Sequence, residues 1–226
     1  MARASRPVAQ TLGLGIRATD NIMPTLSYHH RFEPGADASA PPLLLLHGTG
    51  GDENDLIPIA QKLSPGSALL SPRGDVSEHG ARRFFARLAE GVFDPAEVTR
   101  RTLALADFVA AAAKEYKIDL NRLTALGFSN GANVAVTMLL LRPETLAAAA
   151  LLRPMVVLEP ESLPDLTGKR VLLSAGRVDP IVPADHPPRL AALLQRAGAT
   201  VTLQTHAASH GLVPADFAAV RDFLSR

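Results

Sequence analysis

The chain has 226 residues, with 23 basic and 22 acidic side chains, a net charge of +1 and 47% apolar content. That length fits a single α/β domain over residues 1–226, large enough to hold a rigid site without metal or disulfide staples. The balanced charge gives no field for nucleic acid or an anionic membrane, 4% aromatic content gives no stacking platform for single strands, and the absence of cysteine excludes disulfides, thiolate metal sites and a cysteine nucleophile.

The opening residues, Met1 to Pro7, carry charge with no apolar core behind them, unlike a secretory signal. Two antiparallel strands are expected next, about Thr11–Ala18 and Leu26–Phe32, with a turn at Asp20-Asn21. Pro42 to His47 is a short apolar run entering Gly48-Thr49-Gly50-Gly51, as a buried parallel strand enters a tight loop. A helix is expected over Asp55–Leu63, and a strand over Ser67–Ser71 that stops at Pro72-Arg73-Gly74. Val98 to Tyr116 carries apolar residues at helical spacing. Arg122–Phe128 reads as a strand and Ser129–Leu141 as a helix. Leu146–Leu152 is alanine-rich and fits a helix or a strand by composition, while its position favours a strand. Then follow a strand at Arg170–Ala175, a helix at His186–Ala197 closed by Gly198, a strand at Thr200–His206 and a helix at Pro214–Leu224. No apolar run approaches the roughly 20 residues that cross a bilayer. The longest, Leu139 to Leu152, is broken by Arg142, Pro143 and Glu144. A cytoplasmic protein without stable membrane insertion is therefore expected. Strands alternating with helices predict a mostly parallel sheet covered on both faces, with an antiparallel edge.

The chemistry is concentrated at three loops. Gly127-Phe128-Ser129-Asn130-Gly131 sits where a strand turns abruptly into a helix, which is the setting of a nucleophile elbow. Such a serine needs a base, and His210 follows the last predicted strand; His206, inside that strand, is the rival. The base needs an orienting carboxylate, and Asp179 follows the strand ending at Ala175; Asp185 reads better as a helix cap. A carboxylate there fixes the imidazole tautomer and stabilises the imidazolium. The chain order serine, aspartate, histidine is that of the α/β-hydrolase fold. An oxyanion hole is expected from the N–H groups of Asn130 and, from the glycine-rich loop, Thr49. That loop lacks the endings of nucleotide-binding loops. His47 is expected to shape it rather than transfer protons.

These motifs, with Asp179-Pro180-Ile181-Val182-Pro183 and His210-Gly211-Leu212, resemble the phospholipase/carboxylesterase branch of the α/β-hydrolases from Leu43 to Leu212. The Ser129-Asn130-Gly131-Ala132-Asn133 core is more similar to small bacterial hydrolases of the hydroquinone-resistance type than to acyl-protein thioesterases. The resemblance implies carboxylic-ester hydrolysis without a cofactor, with an acyl thioesterase or lysophospholipase as the alternative within enzymes. A non-catalytic hydrolase-fold interaction protein is the alternative of another class. About 17 residues separate the strands at Leu152 and Arg170, too few for a large helical cap, so an open, shallow site is expected. Met155 and Val156 on one side, and Phe84 and Phe85 on another, are candidates for its apolar walls, with core packing the competing role. A small-molecule ester is the expected partner, no metal is expected, and a homodimer is left open.

Overall fold

The structure, a computed structural model, describes residues 26–226. The expected strand at Thr11–Ala18 and its turn lie outside the described residues.

Leu43–Leu46 (β2) is four fully buried leucines, and only a strand covered on both faces can hold such a run. Leu44 and Leu46 enter one half of the core, and Leu43 and Leu45 the other. The first half is packed by Pro95–Tyr116 (α2), Asn130–Leu141 (α3) and His186–Arg196 (α4); the second by Ile57–Leu63 (α1) and Pro214–Leu224 (α5). The remaining strands of the main sheet are His30–Glu33 (β1), Leu69–Pro72 (β3), Thr124–Phe128 (β6), Ala148–Leu152 (β7), Arg170–Gly176 (β8) and Thr200–His206 (β9). Their order is β1-β3-β2-β6-β7-β8-β9, parallel except for β1, which runs antiparallel to β3 at the edge.

Most elements fall within two residues of the sequence reading, and three features depart further from it. The edge strand is four residues long and starts at His30 rather than Leu26. Helix α2 starts at Pro95 rather than Val98, because Asp94 accepts the Ala96 N–H at 3.0 Å and proline suits the first helical turn. A small antiparallel hairpin, Val76–Glu78 (β4) with Ala81–Arg83 (β5), was not anticipated. The alanine-rich segment is strand β7, paired on both sides by β6 and β8. Residues 153–169, which follow it, contain no helix or strand and so no helical cap. Among the described residues no helix is long and apolar enough to cross a membrane.

Candidate active site

The elbow is built by close approach. Ser129 has φ 52° and ψ −115°, a left-handed backbone that a residue with a side chain adopts only under constraint. Its N–H is fixed to the Leu152 carbonyl at 2.8 Å, and its carbonyl accepts the Asn133 N–H at 2.9 Å. A Cβ at Gly131 would lie 1.9 Å from the Leu46 carbonyl oxygen, and one at Gly127 would lie 2.7 Å from the Gly131 carbonyl oxygen. Only glycine lets β2, β6 and α3 meet this tightly.

Three loops, all leaving the carboxyl ends of parallel strands, then converge. The Ser129 hydroxyl is 2.9 Å from His210 Nε2, and His210 Nδ1 is 2.8 Å from Asp179 Oδ2. A carboxylate only accepts, so Nδ1 carries the ring proton and Nε2 is left to accept from the serine hydroxyl. The second Asp179 oxygen accepts the N–H groups of Ile181 and Val182 at 2.8 and 3.1 Å, which locks the carboxylate's rotation. The Asp179 side chain is 2% exposed, and that of His210 is 19% exposed. His206, the rival base, lies away from the serine with its ring 3.8 Å from Asp216. Asp185 caps no N–H of α4; its carboxylate faces Arg189.

The two residues expected to supply the oxyanion donors are held by the unanticipated hairpin and the residue after it. The Gly50 N–H donates to the Arg82 carbonyl at 2.9 Å, and the Gly51 N–H to the Gly48 carbonyl at 3.1 Å. The Thr49 N–H has no backbone acceptor among the described residues, and Thr49 lines the cleft with Ser129. Its hydroxyl accepts from Arg83 Nη1 at 2.6 Å. The Asn130 N–H belongs to the first turn of α3, where no intrahelical acceptor exists, and the Asn130 side-chain oxygen accepts the Phe84 N–H at 2.8 Å. Residues 82, 83 and 84 thus each fix one piece of this corner. His47 completes it from beneath. Its Nε2 accepts the Gly74 N–H at 2.9 Å, so the proton sits on Nδ1, which donates to the Gly48 carbonyl at 2.7 Å. Burial pushes the His47 pKa down, and this holds the ring in the neutral form the two bonds require.

The cleft encloses about 270 Å3. Of the expected wall residues, Met155 lines it, its N–H fixed to the Asn133 side-chain oxygen at 2.8 Å. Val156 does not: it packs on the core and donates its N–H to His186 Nδ1 at 3.2 Å. Phe84 and Phe85 are corrected as well, being 1% and 0% exposed within the core. The aromatic walls are Phe93 instead, beside Arg87 and Glu90 from the same segment, and Phe128 next to the serine. Sequence reading missed Asn133, although a residue one helical turn after the elbow serine must face the same side as the serine.

The chain is similar to known proteins in sequence and fold. Residues 85–226 match the family model described as Phospholipase/Carboxylesterase. The chain is 39% identical over 183 residues to the putative hydrolase MhqD of Bacillus subtilis (strain 168), covering 81% of this chain and 90% of that one. Among solved structures, the Bacillus cereus carboxylesterase superposes with a TM-score of 0.86 at 42% identity, over 88% of this chain and 94% of the other. A carboxylesterase from Mesorhizobium loti superposes with a TM-score of 0.82 at 36% identity, over 88% and 95%. The fold is that of the α/β-hydrolases.

Proposed function

Because the chain belongs to the phospholipase/carboxylesterase family, we propose that it is a serine hydrolase cleaving carboxylic esters through an acyl-Ser129 intermediate. The observation that carries this reading is the unbroken relay of 2.9 and 2.8 Å from the Ser129 hydroxyl through His210 to Asp179. His210 Nε2 takes the hydroxyl proton as the serine oxygen attacks the ester carbonyl. The carbonyl oxygen becomes an anion between the Thr49 and Asn130 N–H groups. His210 then gives the proton to the departing alcohol, and the acyl group stays on Ser129. Water repeats the sequence in reverse roles, losing its proton to His210 and releasing the acid. Fixed donors of this kind act more strongly on the developing anion than on the resting carbonyl.

Small substrates fit best. The cleft is at or below the usual range for drug-sized ligands, roughly 300 to 1000 Å3, and no cap closes over it. The test is a series of p-nitrophenyl esters from acetate to dodecanoate, run beside acyl thioesters, with fluorophosphonate labelling and peptide mapping on the same sample. The expected result is a label on Ser129 and the highest kcat/KM for the short esters. A label elsewhere, or a preference for dodecanoate or thioesters, counts against it.

A further inference from the structure

Arg153 is the largest fully buried side chain in the described chain, and its backbone has φ +56°. It stands directly after β7, outside the relay. Its guanidinium has five N–H donors, and each has an acceptor. Nε donates to the Ser209 carbonyl at 3.1 Å, and Nη2 to the Gly211 carbonyl at 2.9 Å. Nη1 donates to the Ser174 carbonyl at 3.2 Å. The remaining two form a fork on Asp216, at 2.7 and 2.8 Å. Asp216 is itself tied at both ends: it accepts from the Ser174 hydroxyl at 2.5 Å and from the Val213 N–H at 2.7 Å. The two carbonyls nearest to His210 along the chain are therefore held by one rigid planar group, anchored in turn to β8 and to the first turn of α5.

We infer that Arg153, oriented by Asp216, is the positioning residue for His210: it fixes the loop on both sides of the base so that the ring stays in line between Ser129 and Asp179. The inference rests on the reading of His210 as that base. A core-filling role requires only volume and a charge partner. Two carbonyls gripped at positions 209 and 211 are a demand of the loop, and only a guanidinium meets all five acceptors at once. Misplacing a base by about 1 Å costs on the order of 100-fold in rate.

Removing Arg153 alone would strand a buried carboxylate and destabilise the fold. The informative variant is Arg153→Met with Asp216→Asn, which removes both charges together and is compatible with near-native stability. Its thermal midpoint, kcat, KM and the low-field proton resonance of His210 Nδ1–H are measured beside the native chain. The expected result is a folded protein whose kcat falls roughly 10- to 100-fold, with KM unchanged and the resonance broadened or lost. A folded double variant with native kcat and a native resonance overturns the inference. Should the double variant not fold, Arg153→Lys decides: it keeps the charge but brings three donors to five acceptors, so kcat is expected to fall in a folded protein. Native kcat there, or failure of both variants to fold, makes the residue purely structural and overturns the positioning role. A native chain without Ser129-dependent hydrolysis sinks the proposed function instead, and the resonance still tests the clamp.

Discussion

Ser129 keeps a backbone conformation that its own side chain disfavours, and the surroundings impose it. Neighbouring glycines remove the clashes, while the Leu152 carbonyl and Asn133 N–H hold the peptide on either side. Gly131 is the tightest point, with the Leu46 carbonyl oxygen where a methyl would go. Gly131→Ala must push β2 and α3 apart, which is expected to destabilise the fold by about 1–3 kcal/mol and to lower kcat as the relay opens. Urea unfolding and ester kinetics check both; native stability and rate would show that the approach is not needed. At this scale the relay was legible because each of its residues follows a recognisable strand, and position separates the two histidines: His206 ends the last strand, and His210 stands in the loop after it. The wall residues were not legible. Whether Phe84, Phe85 or Phe93 faces the cleft depends on how residues 76–94 fold, and an aromatic side chain reads alike in a core and in a pocket.

The hairpin of β4 and β5 carries most of what the sequence reading missed. Its strands are three residues each and carry Glu78, Arg82 and Arg83, so they show no apolar alternation. Its turn is His79-Gly80, both with positive φ, where an Asn-Gly or Asp-Gly pair would have signalled it. Strand β7 was ambiguous for a related reason: alanine favours helices by propensity, yet here small side chains sit in a strand buried between two partners. The hairpin's proposed contribution to chemistry runs through the hydrogen bond from Arg83 to Thr49. Arg83→Gln loosens the oxyanion loop without deleting a donor, so kcat is expected to fall about tenfold or more, short of the roughly 100- to 1000-fold typical of losing a donor outright. Thr49→Val, which keeps the N–H but loses the hydroxyl, is expected to move kcat in the same direction. Unchanged kcat in both would detach the hairpin from the oxyanion hole.

Across the whole molecule, the parallel strands deliver their carboxyl ends to one side, and the loops after β6, β8 and β9 bring serine, aspartate and histidine together there. Two buried groups make this arrangement sensitive to acid. His47 has a pKa lowered by burial, so below the ordinary histidine value of about 6.5 the unfolded chain takes a proton that the folded chain refuses. Glu53 is held down to about 2, from 4.5, chiefly by its hydrogen bonds from Arg73. Both contributions are fully present above the unfolded pKa and are lost as pH falls, from about 6.5 downward for His47 and from about 4.5 toward 2 for Glu53. The melting temperature is therefore expected to drop between pH 7 and pH 5, and to drop less in His47→Asn; a flat profile over that interval would contradict the buried neutral ring. The most direct measurement of the central claim is the rate of a Ser129→Ala variant on the best short ester. With native folding retained, kcat/KM is expected to fall by roughly 10,000-fold or more, and a folded variant that hydrolyses the ester at the native rate would contradict it.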